Sequence, residues 1–155
     1  MVRVVLVHPE IPQNTGAIAR TCVAAQAELH LIRPLGFLWG TSRLRRAGVD
    51  SWEHLRVYLH DSWSAFEATL PPQARLFALT PEGKEVYTQV AFQPGDYLLF
   101  GSESRGLPPE LRNRFLSLRI PMPGPTRSLN LSVAVGVVLF EALRQLANEA
   151  QGNQN

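Results

Sequence analysis

Apolar and polar positions along the chain follow two periods. Val2–His8 is a continuous β-branched and apolar run, the pattern of a strand buried on both faces. After the loop Pro9–Pro12, small and apolar residues predict a helix running to about Ala27, which Asn14 or Thr15 can cap. Glu28–Ile32 predicts a second strand, ended by Pro34. Leu35–Gly40 reads as a loop that can expose Phe37 and Trp39, and Ser42–Ala47 as a short helical piece stopped by Gly48. Leu55–Leu59 predicts a third strand, Ser62–Leu70 a helix ended by Pro71 and Pro72, and Arg75–Leu79 a fourth strand that turns at 80–83. Asp96–Phe100 predicts a fifth strand and Ser117–Ile120 a sixth. Between them, Pro108–Phe115 begins as helices do, with Pro in the first turn and Glu110 behind it.

The last element has the clearest period. Leu131, Ala134, Val135, Val138, Leu139, Ala142, Leu143 and Leu146 form one broad apolar stripe at helical spacing. Ser128 and Asn130 stand where its N-cap belongs, and Gln151–Asn155 reads as a disordered tail. Strands alternating with helices predict an α/β fold, a parallel sheet with helices on both faces, as a single domain over residues 1–150. The stripe serves either ordinary helix–sheet packing or, through the small residues Ala134 and Gly136, close contact with a second copy in a homodimer.

Composition narrows the class. A chain of 155 residues, 45% hydrophobic, is one domain with a real core. The opening apolar run is shorter than a signal-peptide core, and no apolar stretch approaches the roughly 20 residues of a membrane helix, so no membrane partner is expected. Cys22 is the only cysteine, which excludes an internal disulfide and fits a reducing, cytoplasmic setting. The net charge is only +2, yet 14 of the 15 basic residues are Arg, with Lys84 the exception. Guanidinium forks suit phosphates and bases, while genomic composition or a thermophilic host explains the same preference equally well. Their placement favours a polyanion footprint: Arg33, Arg43, Arg45, Arg46 and Arg56 form one cluster, and Arg105, Arg112, Arg114, Arg119 and Arg127 a second.

Some chemistries find no support. There is no phosphate loop ending in Gly-Lys-Ser/Thr, and no GxGxxG follows the first strand. His8, His30, His54 and His60 are scattered, without a second cysteine or a helical His pair, so no metal is expected. The informative stretches are Leu98–Pro108, LLFGSESRGLP, and Ile120–Leu131, IPMPGPTRSLNL. Each breaks a strand-like run with Gly, Pro and small polar residues and then feeds a helix, which builds a pocket at the carboxyl ends of strands. Gly101 lets a ligand approach the backbone, Gly106 suits a positive φ, and free N–H groups at a helix start can bind ligand oxygens. Simpler roles exist for each: a polar turn with a Glu103–Arg105 ion pair, capping by Ser128 or Asn130, and for Asn14 and Arg20 a cap and a surface charge.

Taken together, these pieces resemble the SPOUT superfamily, the SpoU-type RNA 2′-O-methyltransferases. NTGAIARTC, with Asn14 and Arg20, matches its first motif, LLFGSESRGLP, with Gly101, Glu103 and Gly106, its second, and IPMPGPTRSLNLSVAVGVVLFEA, with Ile120, Ser128 and Asn130, its third. The resemblance spans nearly the whole chain, and the Pro-rich PGPTRS loop is its one departure. HPEIPQNTG, LGF, RLRRAG and RLFALT are similar to the small members that methylate the wobble nucleotide, position 34, a cytidine or modified uridine, of leucine tRNAs.

The resemblance implies a deep trefoil knot in the C-terminal half, a feature too rare to be read from any pattern. It implies S-adenosylmethionine held by Leu79, Gly101, Ile120 and Ser128 with Met122 and Leu129, and a homodimer formed through the first and last helices. It gives Arg20 the activating role, with Asn14, Glu103, Ser128 and Asn130 positioning it and the ribose. An arginine pKa above about 12 makes a poor base, so phosphate binding and alkoxide stabilisation fit Arg20 better. Arg43, Arg45, Arg46, Arg105 and Arg127 would hold the tRNA anticodon stem-loop, with Phe37 or Trp39 stacking on a base. The competing readings are a 2′-O-methyltransferase of another tRNA position or ribosomal RNA, a non-catalytic module binding RNA or the adenosyl ligand, and a small-molecule α/β enzyme.

Overall fold

The apolar runs become the centre of one sheet. The structure, a computed structural model, describes residues 1–40 and 52–152. Seven strands pair in the order β3-β2-β1-β6-β4-β7-β5, every ladder parallel. They are β1 (Arg3–Val7), β2 (Glu28–Ile32), β3 (Val57–His60), β4 (Leu76–Leu79), β5 (Glu85–Val86), β6 (Tyr97–Phe100) and β7 (Leu116–Arg119). The helices are α1 (Pro12–Ala25), α2 (Trp63–Glu67), α3 (Pro109–Arg112) and α4 (Leu131–Gly152).

Because strand side chains alternate, each central strand feeds two cores. Val4, Leu6, Leu29, Leu31, Leu98 and Phe100 face α1 and α4, which contribute Ile18, Cys22, Val135, Val138 and Leu139. Val5, Val7, Ile32 and Leu99 face Phe66 of α2 and Leu111 of α3. Helices therefore cover both faces, as the sequence predicts. Burial pushes the Cys22 thiol up to about 12, so it is a packing group and not a nucleophile.

The differences lie at ends and edges. β5 is a seventh strand of two residues, too short for any periodicity to reveal. α1 begins at Pro12 with Ile11 at its N-cap, so neither Asn14 nor Thr15 caps it. α2 is capped by Ser62, whose Oγ accepts the Ala65 N–H, and both α2 and α3 are shorter than predicted. α4 continues to Gly152, two residues into the expected tail. At 22 residues, with an 18-residue stretch of mean hydropathy 1.3, it reaches membrane-helix length, contrary to the sequence reading. It nonetheless carries the Glu141–Arg144 ion pair and packs one stripe, Val135, Val138, Leu139 and Ala142, against the sheet and α1. In the 35–40 loop Phe37 and Trp39 are half-buried, and Leu38 between them is 79% exposed. The expected helix Ser42–Ala47 and its stop at Gly48 lie outside the described residues.

On the α2 face a polar network is folded into the core. His30 on β2 is buried, its Nδ1 2.9 Å from His60 Nε2 on β3 and its Nε2 3.4 Å from Glu28 Oε2. Arg3 on β1 binds the same Glu28 oxygen at 2.6 Å, while Tyr58 stacks on the His30 ring and Phe66 meets it edge-on. Burial lowers the His30 pKa to about 4 against the pull of Glu28, and burial lowers His60 as well. The unfolded chain therefore binds protons first, and stability is lost as pH falls from about 6.5 toward 4. Urea unfolding at pH 7.5 and pH 5 should differ by about 2 kcal/mol, most of it abolished by His30→Gln. Parallel pH dependence in the two proteins would show that the histidine pair is not the source.

Candidate active site

The carboxyl ends of β4, β6 and β7 open into a cavity of about 490 Å³, closed on one side by the head of α1. It lies at the carboxyl ends of the strands, the end of the sheet at which α/β proteins bind ligands. Leu79, Gly101, Ile120, Met122, Ser128 and Leu129 all line it, although they come from three separate segments of the chain. The backbone at Gly101 explains the choice of glycine: a Cβ there would lie 2.0 Å from both the Gly106 carbonyl carbon and the Leu107 nitrogen. Gly106 takes the positive φ of 68° and closes the turn by donating its N–H to Ser102 O at 2.9 Å. A second such approach holds the β4–β5 loop, where a Cβ on Gly83 would meet the Leu118 carbonyl carbon at 2.2 Å.

At the mouth, one carboxylate organises three elements. Glu103 accepts the Glu10 N–H at 2.8 Å, the Ile11 N–H at 2.7 Å and the Asn14 side-chain amide at 3.3 Å. It thus supplies the acceptor that the head of α1 lacks from its own residues, with its negative charge at the positive end of the helix. The Asn14 carbonyl oxygen in turn accepts from Asn130 Nδ2 at 3.2 Å, and Asn130 Oδ1 accepts the Ser132 N–H at the start of α4. Glu103, Asn14 and Asn130 are therefore one hydrogen-bonded chain, and Asn130 is both a cap and a site residue. The Ser132 N–H can only donate, which fixes the orientation of both amides. The alternative Glu103–Arg105 ion pair does not form among the described residues.

Other candidates fall differently. Arg105 lines the cavity; Arg127 is exposed on the 121–130 loop and does not. Arg20 is exposed on α1 and does not line the cavity. Six residues of helix separate it from Asn14, about 9 Å along the axis and about 120° around it. Arg43, Arg45 and Arg46 lie outside the described residues. The sequence reading missed Glu82 and Arg112, which line the cavity from the β4–β5 loop and α3. Arg112 had a signal in its Arg cluster; Glu82 had none.

The model of the SpoU rRNA Methylase family matches residues 1–140. The chain belongs to the SpoU rRNA methylase family. A SpoU relative from Burkholderia pseudomallei (strain 1106a), named tRNA (cytidine(34)-2′-O)-methyltransferase, is 48% identical over 153 residues, covering 96% of this chain and 98% of its own. A solved structure concerned with the 2-OH methylation of C/U34 on tRNA superposes with a TM-score of 0.94 at 56% identity, covering 96% of this chain and 97% of that one. The SpoU methyltransferase AviRb from Streptomyces viridochromogenes, in complex with the cofactor AdoMet, superposes with a TM-score of 0.78 at 27% identity, covering 94% of this chain and 57% of that one.

Two substitutions separate the crossing from the clasp in this SpoU chain. Gly101→Ala should destabilise the fold by about 3 kcal/mol, because backbone and not a flexible side chain blocks the new methyl. Glu103→Ala should cost about 1–2 kcal/mol by leaving the head of α1 without its acceptor. Denaturant titrations of both variants measure these values, and a Glu103→Ala midpoint equal to wild type would remove the capping role.

Proposed function

We propose that this SpoU-family chain transfers the methyl group of S-adenosylmethionine to the ribose 2′-hydroxyl of the wobble nucleotide, position 34, a cytidine or modified uridine, in leucine tRNAs. The observation that carries the reading is the single cavity in which the six cofactor positions meet the Glu103–Asn14–Asn130 chain. The relatives' names supply position 34. The residues suit the cofactor. Leu79, Leu118, Ile120 and Leu129 offer apolar walls to an adenine, the bare Gly101 backbone allows close approach, and Glu82 and Glu103 place negative charge beside a cationic sulfonium. That cofactor supplies an electrophilic methyl carbon, whose bond to sulfur breaks as its bond to the 2′-oxygen forms.

The chain's own residues hold the nucleophile in line. Three donors already occupy the Glu103 carboxylate, so it positions Asn14 and the head of α1 and is not a free base. Asn14, Asn130 and Ser128, all on the cavity lining, orient the ribose. Among the described residues nothing pairs with Arg20, which leaves its guanidinium available for the phosphate beside the reacting ribose and for the 2′-oxygen as its O–H bond breaks and the proton passes to solvent water at the open cavity mouth. Arg105 and Arg127, with Arg43, Arg45 and Arg46, hold the anticodon stem-loop. The trefoil knot belongs to the same reading, supported by the meeting of the 80–82, 101–107 and 120–131 segments around one cavity. So does a cytoplasmic homodimer through α1 and α4, supported by Ile11, Val133 and Phe140, which are 41%, 50% and 48% exposed.

Labelled methyl transfer from S-adenosylmethionine to tRNA, with the product nucleotide mapped by mass spectrometry, tests the reading. A 2′-O-methyl at position 34 of a leucine tRNA supports it; methylation elsewhere keeps the enzyme and replaces the substrate. Arg20→Ala should lower transfer at least a hundredfold while cofactor affinity stays within about threefold, and retained transfer would end its proposed role. Phe140→Glu should convert the dimer to a monomer in light scattering, whereas an unchanged mass would move the interface off α4.

A further inference from the structure

The β1–α1 loop and the 102–106 turn exchange carboxylates. Glu103 of the turn accepts the backbone N–H groups of Glu10 and Ile11. Glu10 of the loop reaches back, and one of its oxygens, Oε1, accepts both the Ser104 N–H at 3.1 Å and the Ser104 hydroxyl at 2.6 Å. The loop is pinned from its far side too. Gly36 donates its N–H to Pro9 O at 2.9 Å and approaches so closely that a Cβ there would lie 2.6 Å from Glu10 O. Glu10 therefore has little freedom except to hold Ser104, one residue beyond Glu103.

We infer that Glu10 is a positioning residue for methyl transfer: through Ser104 it fixes the 102–106 turn so that Glu103, Asn14 and Asn130 stay in one chain at the cavity mouth. It does not line the cavity, so it acts only through other residues. The inference rests on the methyltransferase reading above and goes beyond it by adding a residue on the outer side of the turn. The geometry has a specific signature. Both Ser104 donors go to the same oxygen, so a glutamine carbonyl reproduces the two bonds.

The test compares Glu10→Ala and Glu10→Gln with wild type for kcat, KM for tRNA, cofactor affinity by calorimetry, and Tm. Glu10→Ala should lower kcat roughly tenfold or more, with cofactor affinity and KM within about threefold and the folded state intact at the assay temperature. Glu10→Gln should return kcat to within about twofold of wild type. An unchanged kcat in Glu10→Ala overturns the inference, as does equal impairment of both variants or a loss that only follows a lower Tm. The side-chain amide resonances of Asn14 and Asn130 decide it without RNA. They should move in Glu10→Ala and return in Glu10→Gln, and resonances unmoved in Glu10→Ala overturn it. Failure of the wild-type chain to methylate position 34 would instead count against the substrate reading and leave these ratios and resonances to decide the role of Glu10.

Discussion

The site depends on a backbone crossing. At Gly101 the chain leaving β6 passes the Gly106–Leu107 peptide with no room for a side-chain carbon. That contact folds the 101–107 segment into a tight turn and sends Leu107 and Leu111 into the α2-side core while Glu103 points to the head of α1. A crossing made by hydrogen bonds between side chains could relax; one made by main chain against main chain cannot without moving the strands themselves. The cavity walls are accordingly set by backbone, and only its mouth is set by polar side chains.

The polar groups divide in the same way across the sheet. At the carboxyl ends of the strands, carboxylates are spent on N–H donors: Glu103 on the head of α1 and Glu10 on Ser104. Hydrogen bonds from Ser104 hold the Glu10 carboxyl below the usual carboxylate range. Toward the β3 edge, Glu28 is committed instead to Arg3 and His30, away from the cavity. Asp96, buried at the amino end of β6, accepts the Gln93 N–H and pairs with Arg75, closing the turn that starts that strand. Each end of the sheet thus has its own electrostatic task.

Legibility followed the range of the interaction involved. β1 and β6 were readable because burial on both faces requires an apolar run, β2 because Pro34 marks its end, and α4 because its stripe repeats over about four turns. β5 was not, since two residues carry no period. The start of α1 was misplaced for a physical reason: the acceptor for its first donors is Glu103, 92 residues from Ile11, and local capping rules see only neighbours. Gly101, Glu103, Gly106 and Asn130 were found because a ligand-binding turn needs glycine and small polar residues in a short stretch. Glu10 was invisible for the same reason as the cap, its partner Ser104 being 94 residues away. Arg20 was legible as a residue but not as a position, because helical geometry turns it away from Asn14.

The ends of the strand order carry one more consequence. Among the described residues the sheet finishes at β3, four residues long, and at β5, only two. A parallel sheet this apolar would recruit foreign strands if its rims were long, since unpaired N–H and C=O groups template further pairing. Rims this brief present few such groups, so the fold resists growth into fibrils by edge addition and leaves its helices, not its strands, as the surfaces through which it can associate.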